Sequence, residues 1–579
     1  MLLLNSQQQK ALEGIDKFIS SKHEKIFILE GFAGTGKTTV ITTLISSRKF
    51  FSKEIVMAAT TNKAVSVLQN MFGNQFEHVD FKTIHKLCKI KRQISTYGDV
   101  FFNLNDNPDD HSKQKSVYFY DIIIIDECSM ISKKILSILT SLSQRIKGKI
   151  IFIGDKYQLP PVNEPISDVF DLPVKKMVLE KIVRCTDDVV KFSENIRKSI
   201  DTGGNISTKS CKGDNFKTFK TKHTWIGKYI ENFDVTMNNV LLAYTNKRCR
   251  EINNYIRNKI YGALSLQTYI ENEIIVFNSF YKETPLNLNP YLGGGAGSDE
   301  PQLLSMEPIS VNPSDDTISC NGKIFYTSQK AVIKKCRRVK IKMPSFPFEA
   351  LFNLNRKLDL DFAVNAGKPK VPNKSECPIC MEKIRDVDVA QLNCNHVFCR
   401  KCIKTWLEQN DMCPYCRMKV DESRIVFDDD EELTRLINNF KCLTDRQTVE
   451  VWELDVISNK NNGIVYTLAA ESAEGFNEIR CELKAVILKI KKHLDNKTGI
   501  KEKKFFVVKR LWEFFYYCYI DLFAEISYGY CITVHKSQGS TFDDVYVDCN
   551  NIMQFKNNDT LNCLYTAITR SSKVLYMLV

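Results

Sequence analysis

Three groups of residues have types and spacings that could do chemistry. The first is the loop GFAGTGKT at 31–38, set between the apolar run KIFILE and the helix-like TTVITTLI. Glycines at this density let backbone N–H groups turn inward around phosphate oxygens at a helix N-terminus. Lys37 would then reach the β- and γ-phosphates and the Thr38 hydroxyl would bind magnesium. Gly31, Gly34, Thr35, Gly36 and Thr39 complete this nucleotide-binding set. The second group is Asp126 and Glu127, at the end of YDIIIIDECSM. A buried apolar strand that delivers two carboxylates at its C-terminal end is where parallel α/β sheets place ligand chemistry. Asp126 would hold magnesium through water, and Glu127 would orient and deprotonate the attacking water. Together the two groups predict a nucleoside triphosphatase.

The third group is rich in soft ligands. ECPIC at 376–380, CNHVFCRKC at 394–402 and CPYCR at 413–417 contain Cys377, Cys380, Cys394, His396, Cys399, Cys402, Cys413 and Cys416. Eight such ligands suffice for two tetrahedral zinc ions. A region this short buries little core, so metal binding would supply its folding energy. The start, MLLLNSQQQK, has no basic segment ahead of its three leucines and does not read as a signal peptide. The expected setting is intracellular and soluble, a nucleus or a viral replication site, where thiols stay reduced and cysteine pairs more often bind metal than each other. The remaining cysteines are scattered and read as core or inert thiols.

The elements that must position these groups need more than one core, because the chain has 579 residues. Its composition, 43% hydrophobic and 26% charged, is that of a globular protein. No apolar run approaches the ~20 residues that span a bilayer, so no membrane partner is expected. The formal charge of +13 suits a polyanion such as nucleic acid, although a Lys-rich surface also serves solubility alone.

A third strand, KIIFIGDKYQLPPV at 149–162, makes the pattern specific. GDKYQLPPV, with Gln158, resembles motif III of superfamily 1 helicases of the RecD, Dda and Upf type, and it differs from the UvrD-like branch after its GD. Other motifs follow in order. LNSQQQKAL resembles the adenine-reading Q motif, with Gln8 the reader. AATTNKAVSVL (58–68) and FKTIHKL (81–87) resemble the DNA-contacting motifs Ia and Ib. YTNKRCREIN (244–253) resembles motif IVa, ITVHKSQGSTFDDV (532–545) resembles motif V, with Gly539 at the nucleotide, and LYTAITRSSKVLYM (564–577) resembles motif VI. The resemblance places Arg570 at the arginine-finger position and Arg184, in VLEKIVRC, at a γ-phosphate contact. It implies an α/β fold with two RecA-like parallel-sheet lobes, ATP and magnesium as cofactors, and single-stranded DNA lying across both lobes of a monomeric motor that moves 5′ to 3′. The strand-binding residues it implies are Thr60, Asn62, Lys63, Thr83, His85, Thr533, His535 and Lys536. Short polar side chains can reach phosphates while shifting register by one nucleotide per cycle. The alternative for each is a helix cap or a loop residue.

TVEVWELDV (448–456) and KRLWEFFYYCYIDLF (509–523) resemble the inserted barrel and helical tower of Dda-type phage helicases. STYGDVFFNLNDNPDD, within 88–118, reads as a hairpin that would be the strand-splitting pin. Its Tyr97, Phe101 or Phe102 would stack on a base or pack internally. AVIKKCRRVKIKM (331–343) reads as a solvated edge strand rather than a DNA patch. The eight zinc ligands, three cysteines, one histidine and four cysteines in order, resemble a RING finger. Its cross-braced pattern assigns Cys377, Cys380, Cys399 and Cys402 to one ion and Cys394, His396, Cys413 and Cys416 to the other. Ile379, Trp406 and Pro414 then match the surface that docks a ubiquitin-conjugating enzyme, and Arg417 the "linchpin" that contacts ubiquitin. A purely protein- or DNA-binding zinc finger, or an Upf-like RNA helicase, stay open. The domains expected are a first lobe at 1–173 holding the pin, a second lobe at 174–262 and 524–579, an SH3-like barrel and tower at 263–373 and 421–523, and the RING at 374–420.

Overall fold

The computed structural model describes residues 4–72, 76, 78–104, 115–183, 187–204, 206, 213–233, 238–279, 281–282, 324–325, 327–343, 346, 376–382, 389–392, 396–407, 410, 412–415, 417, 431–445, 448–458, 466–471, 476–496, 501–555 and 559–579. Six short strands, the inner four largely apolar, form the first sheet: β1 (Ile26–Gly31), β2 (Ile55–Ala59), β3 (Val79–Thr83), β6 (Ile122–Asp126), β7 (Lys149–Gly154) and β8 (Lys175–Leu179), with the hairpin strands β4 (Ile90–Ile94) and β5 (Val100–Leu104) outside it. The order is β3-β2-β6-β7-β1-β8, and every pairing is parallel. Strands covered by helices on both faces need apolar residues at every position rather than alternation, which is why β1 and β2 are buried throughout. This order sets the phosphate loop after β1 beside the carboxylates of β6 and the GD of β7, all at the C-terminal edge. β8 pairs with β1, so the first lobe reaches Leu179, past the expected limit of 173.

The second lobe repeats the plan. Its parallel sheet runs Cys531–Thr533, Asn239–Ala243, Phe542–Asp548, Ser571–Leu578 and Phe216–Phe219. Between its halves lies an antiparallel sheet ordered Tyr466–Glu471, Thr448–Ile457, Lys330–Lys342, Ile274–Phe277 and Ile526–Tyr528. A bridge from Ala470 to Ala524 links its two edges and curls it around Phe277, Ile333, Leu454 and Leu468. Ile526–Tyr528 belongs to this barrel, so the second lobe resumes after 528 rather than at 524.

The basic run 331–343 has neighbours on both sides only at its start, where Val332 lies between Ile274–Phe277 and Thr448–Ile457. From Lys335 to Lys342 its described pairing is with Thr448–Ile457 alone, and its Lys and Arg side chains are exposed, so the charged stretch is the expected solvated edge. Arg337 and Arg338 pair across to Glu453 and Glu450 on that one side. Beside the barrel, the helices Glu431–Asp445, Phe476–Asp495 and Lys501–Tyr519 bury Leu483, Ile487, Leu511, Trp512 and Phe515 in the tower core. β4 and β5 pair as the expected hairpin, and the tower grips its tip. The Trp512 indole donates to Thr96 O (3.1 Å), the Tyr516 hydroxyl to Gly98 O (2.7 Å), and Arg92 pairs with Asp521 (2.9 Å). Among the described residues no helix is long and apolar enough to cross a membrane.

Candidate nucleotide site, strand-binding surface and zinc centre

β1 ends in the phosphate loop because only glycine suits two of its turns. Gly34 and Gly36 have φ of 79° and 78°, and a Cβ on Gly36 would lie 2.5 Å from Gln8 Nε2. A Cβ on Gly31 would stand 2.9 Å from both Leu179 and Thr35. Lys37 Nζ bridges Gly31 O (2.6 Å) and Phe32 O (3.0 Å) across the cradle. Gln8 is buried, accepts from the Asn5 N–H and donates to Thr35 O (3.0 Å). It therefore braces the loop while lying next to it. Val183 N–H donates to Gly34 O (2.8 Å); Arg184, the next residue, lies outside the described residues.

Facing the cradle, burial first and the Glu127 carboxylate second push Asp126 up to about 7. Glu127 sits at φ 52°, a left-handed conformation costing about 1 kcal/mol for a residue with a Cβ. The cradle's glycines and the half-buried Asp126 fit a magnesium–triphosphate. Bound magnesium would neutralise phosphate charge and favour the ionised form of Asp126.

Lys37, Thr38, Thr39, Asp126, Glu127, Gln158, Gly539 and Arg570 line one cleft of about 930 Å³ between the lobes. Arg570 is 5% exposed and reaches the first lobe: Nη2 donates to Gln158 Oε1 (2.9 Å), Nη1 to Ser540 O (3.3 Å) and Nε to Thr566 O (3.2 Å). The side chains of motif III and motif VI thus meet at the cleft, as their resemblance implies.

Five of the residues expected to bind the strand sit in two matching turns. β3 and Cys531–Thr533 each run into a one-turn helix capped by the strand's last threonine: the Thr83 side chain accepts from Lys86 N–H, and that of Thr533 from Lys536 N–H. Both threonines are buried caps. The sequences TIHK (83–86) and TVHK (533–536) are thus one device used in both lobes, a recurrence that inspection of the chain missed. Burial lowers the pKa of both His85 and His535. Lys63 Nζ donates to Lys536 O (3.3 Å), and Lys536 Nζ to Asn278 Oδ1 (2.5 Å) of the barrel. Asn62 begins the helix Asn62–Phe72, and the Thr60 hydroxyl contacts Met130 Sδ (3.5 Å). On the hairpin, Tyr97 is 65% exposed under Lys491 Nζ, while Phe102 packs edge-on against His85.

In the cysteine-rich module, Cys377, Cys380, Cys399 and Cys402 converge with their sulfurs all within 4.8 Å. The 3.9 Å between the sulfurs of Cys380 and Cys399 matches the ~3.8 Å expected of two thiolates on one tetrahedral zinc. Burial raises the Cys377 thiol, but hydrogen bonds from the N–H groups of Cys380, Cys399 and Ile379 outweigh it and bring it down to about 7. These residues fit zinc, which when bound would tie the two halves of the module together. His396 Nδ1 and Cys413 Sγ lie 3.9 Å apart; Cys394 and Cys416, expected to share an ion with them, are outside the described residues. Ile379 packs on the small core of Leu392, Phe398, Ile403 and Leu407. Trp406 is 38% exposed, with its indole donating to Met412 O (2.9 Å). Pro414 is half-buried, and Arg417 is exposed with φ 57°. Elsewhere most cysteines are buried as expected, but Cys442 and Cys481 on the tower helices are exposed.

Models of known families match this arrangement. An AAA domain matches residues 16–164, a UvrD-like helicase C-terminal domain 528–578, and a Ring finger domain 375–417. The ATP-dependent DNA helicase dda of Enterobacteria phage T4 is 30% identical over 292 residues, 47% of this chain and 60% of its own. The chain is a superfamily 1 helicase with an inserted RING finger. A protein of Acanthamoeba polyphaga mimivirus, R530, is 25% identical to this helicase over 609 residues and covers both chains completely. The E3 ubiquitin-protein ligase RNF128 of Xenopus laevis is 28% identical over 132 residues, 22% of the helicase and 32% of its own length. The model named for UvrD-like helicases covers only motifs V and VI, whereas the phage match spans nearly half of the chain.

Proposed function

We propose that this helicase hydrolyses ATP to move 5′ to 3′ along single-stranded DNA and unwind duplex ahead of it, and that its RING finger, holding two zinc ions, recruits a ubiquitin-conjugating enzyme. The observation that carries the motor is Arg570, which reaches from the second lobe onto Gln158 of the first within the cleft that holds Lys37 and Glu127. In this reading Lys37 and the loop N–H groups hold the triphosphate. Glu127 takes the proton of the attacking water, and Arg570 meets charge developing on the γ-phosphoryl. Because the two sides of the site come from different lobes, hydrolysis is tied to lobe movement. One chain supplies both sides, which supports a monomeric motor. The paired TIHK and TVHK turns give each lobe its own strand contact, as stepping requires. The phage relative's activity on DNA supports DNA over RNA, and the relative among ubiquitin ligases supports the role of Ile379, Trp406, Pro414 and Arg417 in docking.

Replacing Arg570 by Ala is expected to cut DNA-stimulated ATP hydrolysis by on the order of a thousandfold; near-normal turnover would sink the motor reading. Unwinding is expected from a 5′ tail, and equal unwinding from a 3′ tail would overturn the polarity. Autoubiquitination with a panel of conjugating enzymes is expected to vanish in Ile379→Ala, and its absence in wild type would leave the RING a docking module only.

A further inference from the structure

The helix Thr560–Ile568 and the residues just after it present one face to motif III. Asn562 Nδ2 donates to Tyr157 O (3.0 Å), the Thr566 hydroxyl accepts from Leu159 N–H (3.0 Å), and Arg570 bonds Gln158. The spacing of 562, 565, 566 and 570 follows helical periodicity, so a single face carries all four. Tyr565 differs from the other three. Its hydroxyl donates to Asp155 Oδ2 (2.8 Å) and accepts from Ala33 N–H (3.3 Å), and Ala33 lies inside the phosphate loop. Asp155 uses its other oxygen to accept from Tyr157 N–H (3.1 Å), closing the turn that carries Gln158. The Tyr565 ring packs against Tyr157, and Arg197, stacked on Phe32 at 3.9 Å, lies 5.8 Å from it. Through these hydrogen bonds the Tyr565 side chain, from the second lobe, joins motif III to the phosphate loop.

We propose that Tyr565 is a positioning residue that reports lobe closure to the phosphate loop, so that DNA binding speeds ATP turnover. It rests on the ATPase reading above and concerns the coupling rather than the chemistry. With the lobes together, the phenol satisfies a buried carboxylate oxygen and a loop N–H at once. With the lobes apart, both lose that partner. Closure by DNA therefore sets the loop, the Gln158 turn and Arg570 as one unit. Burial first, and then the Asp155 carboxylate, hold the Tyr565 hydroxyl far above its ordinary pKa, so it remains a donor at any working pH.

The test compares Tyr565→Phe with Thr566→Val by the ratio of DNA-stimulated to DNA-free ATP hydrolysis. Tyr565→Phe is expected to lower this ratio about tenfold, the scale of losing one buried hydrogen-bonding group, with little change in the KM for ATP. Thr566→Val keeps the phosphate-loop contact and is expected to lower both rates in proportion. Equal ratios in the two variants overturn the proposal. Absence of ATP hydrolysis by the wild type would instead overturn the ATPase reading, so the two failures are distinct. Should Tyr565→Phe fold poorly, hydrogen exchange of the wild-type segment 31–36 decides: the Ala33 amide is expected to slow when DNA binds, and an unchanged rate overturns the proposal.

Discussion

Gly98, at the tip of the β4–β5 hairpin, offers a sharp test of whether the hairpin works as a pin braced by the tower. Its φ of 87° is left-handed, and a Cβ there would lie 2.7 Å from Trp512 Cζ2 and Cη2 and 2.9 Å from Cε2. The indole is a rigid wall, 2% exposed within the tower core, and cannot rotate aside. Gly98→Ala therefore forces the tip off the tower. An alanine in that conformation costs about 1 kcal/mol. Losing the Trp512–Thr96 and Tyr516–Gly98 hydrogen bonds costs about 1 kcal/mol each. The sum of about 3 kcal/mol shifts the docked-to-undocked ratio by roughly a hundredfold. The cleft residues are untouched, so ATP hydrolysis stimulated by single-stranded DNA is expected to stay within about twofold, while unwinding of a 5′-tailed fork falls at least about tenfold. Adding Trp512→Phe removes the clashing ring atoms and is expected to restore part of the unwinding. Wild-type unwinding by Gly98→Ala, or a parallel loss of both activities, would refute the reasoning.

Other expectations follow from the remaining sites. Because burial lowers both His85 and His535 from 6.5, the unfolded chain binds protons that the folded one refuses; their contribution to stability is complete above pH 6.5 and is lost as pH falls below it, which melting of His85→Asn/His535→Asn against wild type across pH 5–8 checks by a flatter acid limb. Held neutral at pH 7.5, these histidines should leave the salt dependence of single-stranded DNA binding unchanged when replaced by Ala, whereas Lys63→Ala and Lys536→Ala should each reduce the slope of log K against log salt by about 0.7. Chelation of zinc is expected to unfold the module around Phe398 and Ile403 and abolish ligase activity while ATP turnover continues; metal release assays should count two zinc ions per chain, and Cys380→Ser should release about half of that. Arg257 is buried and bonded to Glu273, Ser265 O and Gln267 O where the barrel joins the second lobe. Arg257→Met should destabilise the chain by about 3 kcal/mol in denaturant melts, because it strands a buried carboxylate.

The residues expected at the nucleotide and zinc sites come together in the structure wherever they belong to contiguous motifs. A phosphate loop needs its glycines within a few residues of Lys37, and a carboxylate pair must follow its strand directly. RING ligands likewise recur in short pairs, so even the interleaving of Cys377 and Cys380 with Cys399 and Cys402 could be assigned in advance. The strand at 331–343 was legible in its charged part, because Lys and Arg along a strand mark solvent and Lys335–Lys342 pair on one side only. Its first residues, seated between Ile274–Phe277 and Thr448–Ile457, were not, because distant segments supply both partners. The two lobe boundaries slipped for a related reason, since strand membership is decided by hydrogen bonds to distant segments rather than by local pattern.

By itself the sequence determined the local devices the chain carries: the glycine-rich cradle, the paired carboxylates, the threonine-capped turn of each lobe and the clustered soft ligands. These depend on residue type and short spacing, which local backbone geometry constrains. Only the tertiary structure decided how they act together. It brought Arg570 onto Gln158 across 412 residues, set the Tyr565 hydroxyl between Asp155 and the phosphate loop, and seated the hairpin tip against Trp512. Such contacts rest on shape and on buried hydrogen bonds between elements far apart in the chain, and no local pattern encodes which distant side chain will fill them.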